Sequence, residues 1–319
     1  MKYRSLGNSG LRVSEVSLGS WLTAGASINQ HQTEQICHKA FDLGINLFDT
    51  ADVYAHGNAE IQLGKALAAC PRHHLVIASK CYFPMSDSVN DQGLSRKHIH
   101  ESIDHSLQRL GMDYLDLYQC HRPDPHTPML ETVRAFDDLI RKGKILYWGV
   151  SEWSSEDIRE ACRLVDAYQL VRPISNQPRY NILRRSLEQN VIATCEELGI
   201  GQICYSPLGQ GVLTGKYSAS NKPQDSRAAD PNSNAFMDAY LQPEVLDNVA
   251  RLQSWAQQQN ISMAQLAVSW CLRQGNVAST IVGATKTAQL EDNAGAAGVE
   301  LPADLLAFID TTFPVEVFP

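Results

Sequence analysis

The sequence predicts an α/β fold, a (β/α)8 TIM barrel formed by a single domain over residues 1–319. Two observations predict it: short apolar runs recur along the chain, and segments with helical spacing separate them. Runs that are apolar on both faces are typical of a buried parallel sheet, and eight alternating units close such a sheet into a barrel. The length of 319 residues suits one barrel, and two domains stay an alternative.

The chain begins with a predicted β-hairpin. Residues 3–6 and 11–13 flank the turn Gly7-Asn8-Ser9-Gly10, and strands on either side of such a turn form hairpins. We expect this hairpin to precede the barrel as a plug or a lid.

Eight apolar runs then mark the predicted strands of the barrel. They are residues 15–20, 45–50, 75–80, 115–121, 145–150, 173–177, 202–207 and 280–284.

The segments between these runs have the spacing of amphipathic helices. In three segments, after Ser95, at 129–140 and at 187–198, the spacing of the apolar residues places them on one helix face. Residues 154–165 begin with Ser-Ser-Glu-Asp, a sequence typical of a helix N-terminus. Further helices are predicted near 244–259 and 262–274, and a C-terminal helix from about Asp292.

A long loop follows the seventh predicted strand. Residues 218–243 are rich in Ser, Asn, Pro, Asp and Ala, and long loops in compact domains are usually functional or disordered. Because loops after barrel strands line the active-site face, we expect a lid that closes over a cofactor or substrate. A mobile insertion without a role is the alternative.

Four polar residues stand at or just beyond the ends of three strands: Asp49, Tyr54, Lys80 and His121. Taken singly, each has an ordinary interpretation, such as a helix cap, rim packing or a solvated lysine. A barrel would bring all four to one face, and this joint placement favours a catalytic site.

The chemistry expected of these four residues is carbonyl reduction. A phenol has a pKa near 10, and a neighbouring ammonium group lowers it, as we expect Lys80 to do for Tyr54. Asp49 would hold Lys80 charged, and His121 would orient the carbonyl oxygen that Tyr54 protonates.

A hydride donor for this reaction would have to be bound by barrel loops, because no GxGxxG follows the first strand. Residues 206–209 close the seventh strand and residues 283–286 close the eighth, which is the usual phosphate position of barrels. Lys286 adds a positive charge there, although a solvated loop lysine is the alternative.

Composition and charge disfavour several other classes of protein. A net charge of −8 argues against a nucleic-acid surface, and no apolar run approaches the ~18 residues of a membrane span. The N-terminus lacks the apolar region of a secretory signal. The eight cysteines are scattered without CxxC pairs, which favours reduced thiols and a cytoplasmic location. No metal site is predicted, because His98 and His100 are expected to face solvent and His121 with His126 belongs to the catalytic loop.

Several longer motifs carry a resemblance to a known family over nearly the whole chain. They are LGNSGLRVSEVSLG (6–19), GINLFDTADVYAHGNAE (44–60), GLSRKHIHESIDHSLQRLGMDYLDLYQCHRPDP (93–125), YWGVSEWS (147–154), YSPLGQGVLTGKY (205–217) and IVGATKTAQLEDN (281–293). The chain resembles the aldo-keto reductase superfamily. RPDPHTPMLETVRAFDDLI and YWGVSEWSS place it near potassium-channel β subunits and their bacterial aldehyde reductase relatives.

The resemblance implies a catalytic tetrad at Asp49, Tyr54, Lys80 and His121, with NADP(H) as cofactor and NAD(H) less favoured. The implied cofactor contacts, besides Asp49, are Ser20, Trp21, Ser151, Asn176, Gln177, Tyr205, Ser206, Leu208, Gly209, Gly211, Lys216, Arg227, Gly283, Thr285, Lys286, Gln289, Asp292 and Asn293.

Some positions depart from the family pattern. His121 stands where members of the channel-subunit type often have Asn, which favours an active reductase. Glu152 replaces an Arg of the channel subunits, and Gln289 replaces an Arg that many reductases place at the 2′-phosphate. Asp292 is shorter than the more usual Glu.

The resemblance thus implies NADPH-dependent reduction of aldehydes and ketones with Tyr54 as general acid. Trp21, Tyr82, Phe83 and Arg122 are expected to contact the substrate, and Arg122 suits anionic aldehydes. The alternative is an NADP(H)-sensing regulatory module like the channel β subunits. A homo-oligomer remains open.

Overall fold

Eight parallel strands close into a barrel in the computed structural model of the protein, which describes residues 1–218, 223–224, 226–229, 237 and 240–315. The strand order around the barrel follows the chain, and the last strand pairs with the first barrel strand. The predicted (β/α)8 barrel with an N-terminal hairpin is therefore confirmed.

The strands coincide with the eight predicted apolar runs and the predicted hairpin. They are β1 (Tyr3–Ser5), β2 (Arg12–Ser14), β3 (Val16–Gly19), β4 (Leu47–Asp49), β5 (Val76–Cys81), β6 (Leu115–Cys120), β7 (Ile145–Ser151), β8 (Ser175–Gln177), β9 (Gly201–Tyr205) and β10 (Val277–Val282).

Helices follow the strands and cover the outside of the barrel. They are α1 (Gln30–Asp42), α2 (Asn58–Leu67), α3 (Arg96–Leu110), α4 (Met129–Arg141), α5 (Ser155–Ala167), α6 (Val191–Leu198), α7 (Pro243–Gln258), α8 (Met263–Leu272), α9 (Thr287–Ala294) and α10 (Ala303–Thr312).

Two apolar layers hold the barrel together. A small cluster that includes Leu47, Leu117 and Ile203 fills the interior, and a much larger one packs the helices onto the outside of the sheet. Both layers exist because successive side chains of a strand point to opposite faces. Each fully buried Leu or Ile contributes roughly 1.5–3 kcal/mol.

The hairpin closes the N-terminal end of the barrel as a plug. Leu6 and Val13 are fully buried in the interior cluster. Gly7 has a φ of +56°, and a side chain there would clash with the carbonyl oxygen of Gly199. Because β9 begins beside this turn, the opposite end of the barrel is left open for a site.

Helix ends agree with the sequence signals at several places. Ser95 and Ser154 accept hydrogen bonds from the first turns of α3 and α5, which satisfies amide groups that a helix leaves unpaired. Gly111 and Gly199 end α3 and α6 in the left-handed conformation, which glycine adopts at no steric cost.

Three sequence-based expectations about helices and histidines were wrong. The C-terminal helix does not begin near Asp292; that residue lies inside α9, and α10 begins at Ala303 after the Leu301-Pro302 connection. Leu187 precedes α6, in a short 3₁₀ turn. His98 is buried rather than solvent-facing, since α3 packs its first turn inward.

The predicted loop at 218–243 lies mostly outside the described residues. Within its described part, Arg227–Ala229 forms a 3₁₀ turn and Tyr240 is buried. None of the helices within the ranges that the structure describes is long and apolar enough to cross a membrane.

Candidate active site

The structure brings the four predicted catalytic residues together at the C-terminal end of the barrel. Asp49 ends β4, Lys80 lies near the end of β5, and His121 follows β6 directly. Tyr54 comes from the loop after β4. Because β4, β5 and β6 are neighbours in the sheet, their carboxyl ends place these side chains in one pocket.

Lys80 is the centre of the group. Its Nζ donates to Asp49 Oδ1 at 2.5 Å and to the carbonyl oxygen of Thr50 at 2.7 Å, and it lies 3.4 Å from the Tyr54 hydroxyl. The side chain is fully buried. Burial lowers the pKa of Lys80, and the Asp49 carboxylate opposes that shift. A buried charge needs such a partner, which explains why Asp49 is present.

The hydroxyl of Tyr54 lies beside Lys80, and an unusual backbone follows this residue. The two following residues, Ala55 and His56, have φ of 48° and 50°, a region that non-glycine residues rarely occupy. Burial, followed by the charge of Asp49, raises the pKa of Tyr54 well above its ordinary value. The expectation of a lowered pKa for this phenol was wrong, because desolvation outweighs the attraction of the Arg122 guanidinium, which acts to lower it. The phenol is therefore a protonated donor at neutral pH.

His121 lies beside Tyr54 as a neutral imidazole. Its ring centroid is 5.6 Å from that of Tyr54, in edge-to-face orientation. Burial, and then the charges of Lys80 and Arg122, hold the pKa of His121 well below its ordinary value. Among the described residues, none offers a hydrogen-bond partner to its buried Nδ1.

Gln177 has a role that the sequence did not predict. Its Nε2 donates to Asp49 Oδ2 at 2.8 Å across the barrel, and its backbone carbonyl oxygen accepts from Ser151 Oγ at 2.7 Å. Asn176 instead donates to Gln202 Oε1 at 3.1 Å. Because neighbouring side chains of a strand alternate between faces, the structure brings Gln177 and Ser151 to the tetrad and does not bring Asn176 there.

Aromatic side chains and an arginine form a wall beside His121. Phe83 lies 4.8 Å from the His121 ring, and Tyr82 lies 5.2 Å from Phe83. The Arg122 guanidinium is 5.6 Å from the Phe83 ring centroid, and its Nη1 donates to the His121 carbonyl oxygen at 2.5 Å. These three predicted substrate residues therefore adjoin the tetrad.

The β3 side of the opening carries Ser20 and Trp21. Ser20 Oγ donates to Thr50 Oγ1 at 2.8 Å. Arg227, from the described part of the long loop, lies 6.0 Å from the Trp21 ring and bonds Gln210 after β9. This loop segment thus links the turn after β9 to the loop after β3, the two strands that flank β10.

The turn after β9 contains several residues with positive φ. Ser206, Gly209, Gln210 and Gly211 have φ of 54°, 52°, 58° and 94°. Tight turns of this kind can direct successive backbone N–H groups into a concave site for anions. Lys216 lies close by: a side chain at Gly211 would contact its Nζ at 3.6 Å. Leu208 is partly buried against the core.

The turn after β10 presents another set of predicted cofactor residues. Gly283, Thr285, Lys286 and Gln289 are exposed. Gln289 Oε1 accepts from the Thr285 amide at 2.9 Å and caps α9. Asp292 accepts from Gln265 Nε2 at 3.0 Å, and Asn293 is buried. Gln289 and Asp292 therefore already have intramolecular partners, which leaves Lys286 as the exposed cation of this turn.

The residues present fit a phosphorylated dinucleotide. Lys216, Arg227 and Lys286 supply positive charge around the opening, and positive-φ turns and the start of α9 supply backbone N–H groups. Tyr205 stands at the end of β9, partly buried against the interior cluster. The chemistry of this donor set thus suits a phosphorylated dinucleotide.

Glu152 and Arg179 form an arrangement around Tyr205 that the sequence did not predict. The Arg179 amide donates to Glu152 Oε1 at 2.5 Å, and the Arg179 guanidinium lies 5.6 Å from the Tyr205 ring centroid. Burial, followed by the charge of Glu152, raises the pKa of Tyr205 to about 12. The sequence signal that could have identified Glu152 and Arg179 is their position directly after β7 and β8, at the active-site face.

No group of three or more His, Cys, Asp or Glu side chains in the described ranges is placed to hold a metal ion. All eight cysteines are free, and burial raises the pKa of each of them, for example that of Cys195 to about 11.

Comparison with known proteins agrees with this geometry. The profile of the Aldo/keto reductase family matches residues 15–312. A "Probable voltage-gated potassium channel subunit beta" of Arabidopsis thaliana is 43% identical over 302 residues, which cover 94% of this chain and 92% of that protein. A protein of the same description from Oryza sativa subsp. japonica is 42% identical over 296 residues, covering 92% and 90%.

Proposed function

This chain belongs to the aldo/keto reductase family, and from that premise we propose that it reduces aldehydes and ketones to alcohols with NADPH, Tyr54 being the general acid. One observation supports the proposal above all: Lys80 Nζ lies 3.4 Å from the Tyr54 hydroxyl while bonded to Asp49. Family membership by itself implies the coarser function, an NAD(P)-dependent oxidoreductase.

Tyr54 is suited to donate a proton to the oxygen of a bound carbonyl group. Its phenol stays protonated near neutral pH, because its pKa is raised. As the proton leaves, the negative charge that develops on the phenol oxygen is stabilised by the ammonium group of Lys80. Asp49 keeps that ammonium group in place.

His121 is suited to orient the same carbonyl oxygen. Its pKa is held well below the ordinary value, so it acts as a neutral hydrogen-bond donor and does not compete with Tyr54 as the acid. Phe83 packs against its ring and fixes the orientation. When bound, NADPH supplies the hydride that the carbonyl carbon accepts.

The cofactor would be held by residues from several strand ends. Ser151, Gln177 and Tyr205 surround the place expected for the nicotinamide, next to Asp49. Lys216 and Arg227 suit the pyrophosphate, and Lys286 suits the 2′-phosphate that distinguishes NADPH from NADH. A cytoplasmic location is part of the proposal, and the free cysteines are consistent with it.

The test of this function is NADPH oxidation with a panel of aldehydes and ketones. Tyr54→Phe keeps the ring and removes the acidic proton, so we expect kcat to fall about 10²–10⁴-fold. Binding of NADPH should be unchanged, which serves as the control for folding. Equal turnover by wild type and Tyr54→Phe would show that the acid is misassigned.

A second candidate is an NADP(H)-sensing regulatory module. Relatives 42–43% identical to this chain are described as potassium channel β subunits, and this observation favours it. The candidate predicts tight NADP(H) binding, very slow turnover and co-purification with a channel protein. His121 argues for the enzyme, since channel-type members often have Asn at that position.

A further inference from the structure

A second carboxyl group lies buried directly behind the tetrad. Asp52 is completely inaccessible to solvent and precedes Tyr54 by two residues in the chain. It takes no part in the proposed proton transfer. A buried carboxyl group is costly unless its hydrogen bonds are made, so its contacts indicate what it does.

The contacts of Asp52 tie the Tyr54 segment to the rest of the barrel. Its backbone N–H donates to the Lys80 carbonyl oxygen at 3.3 Å, and its Oδ1 accepts from the Val53 amide at 2.6 Å. Its Oδ2 accepts from Ser102 Oγ on α3 at 2.9 Å, and Ser102 Oγ accepts from the Tyr118 hydroxyl at 3.1 Å.

This attachment matters because the segment it holds is strained. Ala55 and His56, which follow Tyr54, are in the left-handed region, at a cost of order 1–3 kcal/mol each. Strained backbone persists only where the surroundings hold it. Asp52 is the point at which β5 and α3 are both joined to this segment.

The charge of Asp52 is not neutralised by an ion pair in the part of the chain that the structure describes. Arg109, whose charge acts to lower the pKa of Asp52, is bonded through Nε to Glu60 Oε2 at 2.6 Å. The titratable groups that face Asp52 are Glu60 from α2, Arg109 from α3, Lys80 and Cys81 from β5, Tyr118 from β6, and Tyr54 itself.

Burial and then Glu60 raise the pKa of Asp52 to about 7, while Ser102, Val53 and Arg109 oppose this shift. The ionised form raises the pKa of Tyr54. A negative charge so close makes the phenol a weaker acid.

We propose that Asp52 is a positioning residue of the proposed reductase: its carboxyl group holds the Tyr54 segment, and its ionisation weakens Tyr54 as a proton donor. The inference rests on the proposed function, and the experiment therefore has one arm that needs turnover and one that does not.

The first arm compares the pH profiles of kcat for carbonyl reduction. In wild type, kcat falls as pH rises through about 7, where Asp52 loses its proton. Asp52→Asn keeps a similar shape and hydrogen-bonding capacity without the charge, so this fall disappears. The control, Asp116→Asn, changes a buried carboxyl group that pairs with Arg72 at 2.7 Å and keeps the fall. An unaltered fall in Asp52→Asn overturns the proposal.

Asp52→Ala removes the attachment as well as the charge. Because small misplacements of a reacting group are costly, we expect kcat to drop about 10-fold or more at every pH with little change in KM. Asp52→Asn, which keeps hydrogen-bonding capacity, should keep most of the wild-type kcat. Equal kcat in the Ala and Asn variants would overturn the positioning role.

The second arm measures melting temperature against pH. A carboxyl group whose pKa is raised in the folded state binds its proton more tightly there than in the unfolded chain. Its contribution to stability therefore falls between about pH 4 and about pH 7 and is constant above. The melting temperature of Asp52→Asn relative to wild type should rise over that window and then level off.

A melting-temperature difference that is independent of pH overturns the assignment of Asp52. A further outcome is that neither the wild type nor any variant reduces a carbonyl substrate, while the melting-temperature difference still changes with pH as expected. In that case the proposed function fails, and the assignment of Asp52 as a buried titrating group stands.

Discussion

Gln177 Nε2 donates a hydrogen bond of 2.8 Å to Asp49 Oδ2, although the two residues are 128 positions apart in the chain. The other carboxylate oxygen, Oδ1, accepts from Lys80 Nζ. Asp49 is therefore held from β5 and from β8, on different sides of the barrel. This two-sided attachment fixes the carboxylate that in turn fixes Lys80 beside Tyr54.

Gln177→Met should destabilise the fold and disturb the tetrad. The substitution keeps the volume but leaves a buried carboxylate oxygen without its donor, which costs roughly 1–3 kcal/mol. Urea unfolding measures the loss. The matched control is Gln119→Met, because the buried Nε2 of Gln119 has no partner among the described residues and its Oε1 accepts only a long bond, of 3.3 Å, from Ser175 Oγ. Similar losses in both variants would contradict the importance of the Gln177–Asp49 bond.

His121→Asn should lower turnover without weakening nucleotide binding. Removing one donor that orients a reacting oxygen typically costs about 10²–10³-fold in kcat, and asparagine is shorter than histidine. Single-turnover reduction and NADPH titration separate the two effects. Full activity in the variant would remove the main reason for preferring the enzyme over a sensor.

Arg122→Ala should change selectivity among aldehydes. Arg122 lies beside Phe83 and His121, where it can bond a negatively charged group of the substrate. Loss of a charge-assisted hydrogen bond is worth about 1.5–3 kcal/mol, which corresponds to a loss of roughly 10–100-fold in kcat/KM. We expect that loss for an aldehyde that carries a carboxylate or phosphate and little change for a neutral one. Equal effects on both would exclude Arg122 as an anion contact.

Lys286→Glu should weaken NADPH binding far more than NADH binding. Lys286 is exposed at the start of α9, and the new carboxylate would repel a 2′-phosphate. We expect about a 10-fold or larger rise in the Kd of NADPH, measured by fluorescence titration. Lys142→Glu reverses a charge beyond α4, at the opposite end of the barrel, and should change neither Kd. A similar rise for both nucleotides would place Lys286 away from the 2′-phosphate.

The fold could be predicted because its signals are local. Three apolar runs form β4, β5 and β6. A polar residue stands at or near the end of each strand: Asp49, Lys80 and His121. Once the strands are parallel neighbours, these ends must meet. The C-terminal helix was misplaced because residues 287–298 contain polar and small residues, so the break between α9 and α10 leaves a weak pattern.

The candidate site was only partly predictable, because contacts across the barrel leave no local pattern. Asn176 and Gln177 are adjacent, yet only Gln177 faces Asp49, and a shift of one residue in β8 would reverse that choice. Gln289, an expected contact of the adenosine and its 2′-phosphate, also caps its own helix, which its sequence position does not show. Nothing near Asp52 in sequence indicates that Ser102 and Tyr118 complete its environment.

The sequence by itself determined the barrel, the end of the barrel that carries the site, and the four residues Asp49, Tyr54, Lys80 and His121. Only the tertiary structure decided their protonation states. Burial keeps Tyr54 protonated, keeps His121 neutral and brings the pKa of Asp52 to about 7. The physical reason is that desolvation depends on everything packed around a group, and most of those atoms come from distant parts of the chain.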